Sequence, residues 1–131
     1  MPGWTQTQVT TKASPRSVAD TVTRFTGILN AKGLRVFAII DQRAAAADAG
    51  LELRETVLVI FGNPAGGTPV MDAAPLAALD LPLKVLIWDD GGQTKVSYFT
   101  PAALAARYEL PPDLASNLAG VDPLTDALTA A

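Results

Sequence analysis

Four side chains in this sequence are suited to acid–base chemistry, and each lies beside a predicted strand. Asp41 follows the apolar segment Leu34–Ile40, whereas Asp80 and Lys84 flank the start of a later strand and Tyr98 ends another. An aspartate at either position could act as a general base, with the lysine or the tyrosine as the acid or electrostatic stabiliser. These residues are the catalytic candidates. Asp41 has a structural alternative, because an aspartate before an alanine-rich segment is also a good helix N-cap.

A glycine-rich segment, Gly62–Gly67, follows the most continuously apolar strand that the sequence predicts, Thr56–Phe61. Thr68 and Pro69 then predict the start of a helix, with the threonine as N-cap and the proline in the first turn. A strand, a glycine-rich loop and a helix N-terminus together can hold an anion on backbone N–H groups. The candidate ligand-binding residues are therefore Asn63, Gly66, Gly67 and Thr68.

The spacing of Gly62 and Gly67 matches the first half of a P-loop, G-x-x-x-x-G. A P-loop continues with lysine and then serine or threonine, but here Thr68 and Pro69 follow. The lysine that reaches the phosphates and the hydroxyl that ligates magnesium are both missing, which argues against nucleotide hydrolysis. A tight strand-to-helix turn without any ligand remains the structural alternative.

The composition of the 131 residues excludes several classes of site. There is no cysteine and no histidine, which removes disulfides, thiol nucleophiles, Ser–His–Asp arrangements and the common zinc sites. We therefore predict no metal site and no cofactor. The net charge of −3 and the pI of about 4.7 argue against nucleic-acid binding.

By default we expect a cytoplasmic domain that does not enter a membrane. No apolar segment approaches membrane-spanning length, and the first twelve residues lack the pattern of a signal peptide. The hydrophobic fraction of 49% is high for 18% charged residues, which indicates an apolar surface of the kind found at subunit interfaces.

The elements that must position these residues are predicted from local patterns. Ser14-Pro15 starts a helix whose apolar face is Val18, Val22, Phe25 and Leu29, and Gly33 ends it. The remaining predictions are an edge strand at Thr5–Thr11, a closely packed alanine-rich helix after Asp41, a break at Pro75, a hairpin turn at Asp89–Gly92 between the strands Leu83–Trp88 and Thr94–Tyr98, a helix opened by Thr100-Pro101, and short helical pieces within 111–131.

Two long segments resemble a known family. IDQRAAAADAGLELRETVLVIFGNPAGGTPVM, followed by LDLPLKVLIWDDGGQTKVSY, is similar to domain-of-unknown-function family 302 of bacteria and archaea, over about residues 14–107. The FGNP and GTP segments and LDLPLK are the distinctive parts. The family pattern commonly has a histidine after the aspartate of the second strand, where this chain has Gln42, and this difference weakens a catalytic role carried over from relatives.

The resemblance implies a single small α+β domain over residues 1–131, with residues 111–131 as a short helical extension. It implies a mainly antiparallel sheet of about five strands, related to the TATA-binding-protein-like fold, and a homodimer. Alternating strands and helices would instead suggest a parallel sheet. We adopt the antiparallel prediction, which the hairpin turn supports. DNA binding is not implied, because a fold does not carry its function with it.

Three functions remain open at this point. The first, which we favour, is a non-catalytic dimeric module that binds a small molecule or a partner protein near the glycine-rich segment. The second is an enzyme that uses carboxylate and lysine chemistry near the same segment. The third is a structural or interaction role in which the motif residues form the fold and the dimer.

Overall fold

A five-stranded antiparallel sheet is the centre of the computed structural model, which describes residues 8–131. Its strands are β1 (Val9–Ser14), β2 (Arg35–Asp41), β3 (Thr56–Gly62), β4 (Leu83–Asp90) and β5 (Gln93–Phe99). Their spatial order is β1-β5-β4-β3-β2, and each neighbouring pair is antiparallel. The predicted α+β fold with an antiparallel sheet is confirmed, and the parallel alternative is wrong.

Helices fill the connections between the strands. They are α1 (Val18–Ala31), α2 (Gln42–Asp48), α3 (Pro64–Ala73), α4 (Pro101–Arg107), α5 (Pro112–Ala115) and α6 (Val121–Thr129), with 3₁₀ turns at Pro75–Leu79 and Ser116–Leu118. Within residues 8–131, none of them combines the length and the apolar character that crossing a membrane requires.

Helix α1 begins one turn later than the sequence indicates. Its N-cap is Ser17, whose hydroxyl accepts a 3.0 Å hydrogen bond from the backbone N–H of Asp20. Ser14, the predicted cap, instead ends β1 and is buried. The C-terminus is as predicted, because Gly33 has a φ of +71°, a conformation that glycine adopts without steric cost.

The main hydrophobic core lies between α1 and one face of the sheet. Phe25 of α1 and Phe61 of β3 meet edge to face, with ring centroids 5.2 Å apart. Leu29 lies in the same cluster and is fully buried. The predicted apolar face of α1 is thus confirmed as the face that covers the sheet.

Helix α6 packs into this same core beside α1. Val121, Leu124 and Leu128 are buried, the last completely. The guanidinium of Arg16 donates hydrogen bonds to the carbonyl oxygens of Leu128, at 3.1 Å, and Ala130, at 2.9 Å. The segment 111–131, which we predicted as a short extension, therefore supplies side chains that the sheet is packed against.

A tight turn joins β4 and β5, as predicted. Gly91 and Gly92 have φ values of +61° and +100°, and the side chain of Asp89 accepts a 2.9 Å hydrogen bond from the N–H of Gly92. The positive φ values explain why two glycines stand at this position.

A second, smaller cluster lies at one end of the sheet. Its buried members are Val70, Ala77, Leu104 and Leu118, which connect α3, both 3₁₀ turns and α4. The predicted break at Pro75 is confirmed, because α3 ends at Ala73 and the chain continues as a 3₁₀ turn. This cluster supports one wall of the candidate site.

The two edge strands, β1 and β2, differ in how they are covered. The predicted strand Thr5–Thr11 lies partly outside the described residues, but β1 is an edge strand as expected.

Lys12 of β1 reaches α6, where its ammonium group lies 2.7 Å from the carboxylate of Asp126. Burial lowers the pKa of Lys12, but hydrogen bonds to Asp126 and Tyr98 outweigh it, so the pKa lies above its usual value.

Residues 39–53, here called the arm, comprise the end of β2, helix α2 and the loop that follows. The side chains of Ile39, Leu51 and Leu53 are 49%, 65% and 41% exposed. Helix α2 has no buried residue. The prediction that its alanine-rich face is closely packed is therefore wrong for residues 8–131. The physical reason is that the arm extends from the edge strand, where no further strand or helix of residues 8–131 covers it.

Candidate functional site

The glycine-rich segment is the first turn of a helix, not a loop. Helix α3 starts at Pro64, with Asn63 as N-cap, and Thr68 lies inside the helix instead of capping it. The N–H groups of Gly66 and Gly67 both donate to the carbonyl oxygen of Asn63, each at 2.9 Å. The predicted glycine-rich anion loop is therefore wrong, because these N–H groups are already bonded within the helix.

Two cap-and-proline pairs five residues apart explain this error. The sequence offers both Asn63-Pro64 and Thr68-Pro69 as helix starts, and the first pair is the one used. Asn63 accepts a 3.0 Å hydrogen bond from the N–H of Ala65 on its side-chain oxygen. Pro69 has no N–H and therefore removes one hydrogen bond from the helix interior, at the carbonyl of Ala65.

A cavity of about 300 Å³ lies beside Asn63, where α3 meets the ends of β2 and β4. Most of its lining is apolar, and this part is formed by Phe37, Met71, Leu81, Pro82, Leu83 and Leu118, with Gly62, Pro64 and Gly67. The polar lining residues are Arg35, Asn63, Thr68 and Asn117. A concave, mostly apolar surface with a few polar groups is the usual form of a small-molecule site.

Several elements hold these polar groups in place. Asn63 is fixed by capping α3, and Arg35 stands at the start of β2, paired with Gly62 of β3. Asn117, from the second 3₁₀ turn, donates a 3.1 Å hydrogen bond from its side-chain nitrogen to the carbonyl oxygen of Gly66. The wall of the cavity thus connects the sheet, α3 and the segment before α6.

Three of the four predicted ligand-binding residues line this cavity, namely Asn63, Gly67 and Thr68. Gly66 is not part of the lining and lies instead behind it, where its carbonyl oxygen accepts the hydrogen bond from Asn117.

Asp41, the first catalytic candidate, does not reach the cavity. It caps α2 by accepting a 3.0 Å hydrogen bond from the N–H of Ala44. The structural alternative for this residue is therefore the one observed. It stands at the opposite end of β2 from Arg35, which does line the cavity.

Asp80 is held by two residues of the α4 region. Its Oδ2 atom accepts a 2.8 Å hydrogen bond from the guanidinium of Arg107 and a second from the hydroxyl of Tyr108. Burial raises the pKa of Asp80, but the hydrogen bonds from Tyr108 and Arg107, with the nearby charge of Lys84, outweigh it. The pKa of Asp80 therefore lies below its ordinary value of 3.8, which makes it a poor general base.

Tyr98 is also engaged within the fold. Its hydroxyl donates a 2.5 Å hydrogen bond to Asp122 and accepts one of 3.2 Å from Thr125. A cavity of about 20 Å³, room for one water molecule, lies between Asp80, Lys84 and Tyr98. Lys84 and Tyr98 also line an open, mostly apolar cavity of about 350 Å³, whose lining does not include Asp80. These three candidates are therefore neighbours, and they lie apart from the lining of the cavity of about 300 Å³.

No metal-binding cluster appears within residues 8–131, where no three acidic side chains come together. Arg35, Phe37 and Asn117 also line the cavity and are not among the binding residues predicted from the sequence. An arginine at the start of an otherwise apolar strand was a visible signal for the first of these. Asn117 carries no local signal, because its position beside Gly66 depends on a contact between residues 51 positions apart.

Two comparisons with known proteins point to the same family. The model of the family described as "Domain of unknown function DUF302" matches residues 10–129. The crystal structure of an uncharacterised conserved DUF302 protein from Bacillus stearothermophilus superposes with a TM-score of 0.78 at 20% identity, covering 92% of this chain and 94% of that one. That likeness supports the fold alone.

Curated relatives carry a different name. Proteins named "Fluoride-specific ion channel FluC 1" from Brucella suis biovar 1 (strain 1330) and Brucella abortus biovar 1 (strain 9-941) are 42% identical over 101 residues, or 76% of this chain. The match spans 40% and 37% of those two proteins, so the chain corresponds to about two fifths of their length. Because the family model covers nearly the whole chain, the resemblance found in the sequence is confirmed, and the chain belongs to the family of unknown function DUF302.

Proposed function

We propose that this chain is a non-catalytic binding domain whose ligand is a small molecule held in the cavity beside Asn63. The observation that carries the proposal is the cavity itself, about 300 Å³ of space lined mainly by apolar side chains, with a few polar ones. Binding in this cavity removes apolar ligand surface from water, while groups such as Arg35, Asn63 and Thr68 orient the ligand.

The alternative, an enzyme with carboxylate and lysine chemistry, has less support. Asp41 caps a helix and Asp80 is bonded to Arg107 and Tyr108, so neither carboxylate lies in the cavity lining. Acid–base catalysis needs a base within hydrogen-bond reach of the bound substrate. The binding proposal requires no such group.

Native mass spectrometry tests this proposal. We expect gently purified protein to carry a stoichiometric small molecule that denaturation releases. Met71→Trp, which fills the cavity, should lose that mass, whereas Leu76→Trp is the matched control at a side chain that is 71% exposed outside the lining. Empty wild-type protein, or equal retention by Met71→Trp, would contradict the proposal.

We propose further that the chain forms a homodimer through the arm. The arm joins an edge strand, whose outer backbone groups can pair with another strand, to a helix with no buried residue. Its charged residues have both signs, with Arg43 in the same segment as Asp48 and Glu52. A second copy related by a twofold axis presents the same apolar surface and places opposite charges within reach.

Sedimentation equilibrium tests the dimer. Leu51→Lys, at a side chain that is 65% exposed within the arm, should convert a dimer into a monomer. The control is Leu79→Lys, which is 76% exposed outside the arm and should leave the dimer intact. A monomeric wild-type protein at micromolar concentration would contradict this part of the proposal.

A second candidate function is a supporting role for a fluoride channel. It is favoured by the 42% identity over 101 residues to proteins named as fluoride-specific ion channels. Because that segment is about two fifths of those proteins, the proposal concerns a role beside a channel and not conduction by this chain. Deleting the gene should sensitise cells to sodium fluoride but not to sodium chloride, and equal sensitivity to the two salts would contradict it.

A further inference from the structure

Of the described residues, 8–131, the one charged side chain that lines the cavity beside Asn63 is positive. Arg35 lies next to Phe37, with its guanidinium carbon 5.5 Å from the ring centre. Among residues 8–131, no aspartate or glutamate lines the cavity and no carboxylate forms an ion pair with Arg35. A guanidinium stays charged and presents a fork of donors that matches a carboxylate.

The backbone at the start of α3 is not available to bind an anion in place of Arg35. The N–H groups of Gly66 and Gly67 are bonded to the carbonyl oxygen of Asn63, and that of Ala65 is bonded to its side chain. The side-chain donors left in the lining besides Arg35 are the Nδ2 of Asn63, the hydroxyl of Thr68 and the second N–H of Asn117, whose first is bonded to Gly66. Recognition of a negative charge therefore depends on Arg35, with neutral hydrogen bonds beside it.

The rest of the lining limits the ligand in size and polarity. Phe37, Met71 and Leu118 offer an aromatic ring, a thioether and an isobutyl group to the ligand body. The volume of about 300 Å³ is at the lower end of the range for small-molecule sites. A sugar or a nucleotide would leave many of its polar groups without partners against this surface.

From these observations we infer that the ligand is a small organic acid with an apolar body, whose carboxylate pairs with Arg35. This inference rests on the proposed small-molecule binding and adds the class of ligand to it. The apolar body lies against Phe37 and Met71. A cation is excluded by Arg35, and a neutral molecule of the same shape leaves the guanidinium without its partner.

Matched probes test the inference on the full chain. 4-Phenylbutyrate and its amide have nearly the same shape, but the amide is neutral and has an NH2 donor in place of one carboxylate oxygen, and 4-phenylbutylamine carries the opposite charge. We would titrate each into labelled protein and follow the backbone amide signals of Gly67 and Thr68. The acid should bind at least about tenfold more tightly than the amide. Arg35→Gln should remove that preference, while Arg43→Gln, which changes an exposed arginine of α2 outside the lining, should retain it.

The outcomes distinguish a failure of the inferred acid class from a failure of small-molecule binding itself. Equal binding of acid and amide at these signals, unchanged by Arg35→Gln, overturns the acid class and leaves small-molecule binding intact. Preferential binding of the amine also overturns it. If no probe shifts these signals, the inference fails, and an empty wild-type mass spectrum would then count against the proposed function as well. A melting temperature of Arg35→Gln close to that of the wild type would show that a loss of binding is not caused by a loss of folding.

Discussion

The carboxylate of Asp80 accepts a 2.8 Å hydrogen bond from the guanidinium of Arg107, and this contact joins the entry of β4 to the end of α4. The hydroxyl of Tyr108 donates to the same oxygen. The guanidinium of Arg107 also lies 5.3 Å from the ring centre of Phe99. Asp80 thus fixes the smaller cluster of helices against the sheet, and the adjoining segment Leu81–Leu83 forms one wall of the cavity.

Asp80→Asn should therefore destabilise the fold without acting on chemistry. The substitution removes the charge that Arg107 and Tyr108 share, and hydrogen bonds to charged groups contribute about 1.5–3 kcal/mol each. We expect the free energy of unfolding in urea to fall by about 1–3 kcal/mol. Asp72→Asn, at an exposed aspartate of α3, is the control and should change it by less than about 0.5 kcal/mol. Equal effects of the two substitutions would argue against the structural role.

The same contact predicts how stability depends on pH. The pKa of Asp80 is lower in the folded chain than in the unfolded chain, so the folded state favours the ionised form. Its contribution to stability is therefore present above the ordinary value of 3.8 and is lost as the pH falls through the lower folded value. The stability gap between wild type and Asp80→Asn should be full near pH 7 and should shrink on acidification below about pH 4. A gap that widens in acid would contradict this assignment.

The features of the fold that the sequence predicts well are those with strong local causes. The turn at Gly91-Gly92 needs positive φ values, and the apolar face of α1 repeats with the period of a helix. The start of α3 was predicted wrongly because Asn63-Pro64 and Thr68-Pro69 are both good helix starts, and local chemistry does not choose between them. The antiparallel order of the sheet came from the family resemblance and not from the alternation of strands and helices.

The candidate site is less predictable because its parts are distant in sequence. Asn63 and Thr68 are predicted as binding residues because they follow the end of a strand in the sequence. Arg35 and Asn117 reach the same cavity only after β2 pairs with β3 and the second 3₁₀ turn packs on α3. Asp80 and Tyr98 also lie at strand ends, and this position is equally compatible with a catalytic role. Their structural role is visible only from their hydrogen-bond partners, which come from the C-terminal third of the chain.

Gly67→Ala should stabilise the protein, because Gly67 lies inside α3. A Cβ added there would be 3.9 Å from the terminal methyl of Met71, an ordinary contact, and alanine in a helix is favoured over glycine by about 0.5–1 kcal/mol. Differential scanning calorimetry should show a higher melting temperature. Gly33→Ala is the control of opposite sign, since its φ of +71° strains any other residue. A lower melting temperature for Gly67→Ala would indicate a loop at this position instead of a helix.

Leu128→Ala measures how far α6 belongs to the core. The side chain of Leu128 is completely buried in the cluster that also holds Phe25 and Leu29, and a leucine-to-alanine change in such a place costs about 2–5 kcal/mol. We expect urea unfolding to remain a single transition with its midpoint shifted to lower urea. Leu79→Ala, at a side chain that is 76% exposed, should leave the midpoint almost unchanged. If Leu128→Ala were equally harmless, α6 would be a dispensable extension, and the sheet would have to be stable with that part of its core uncovered.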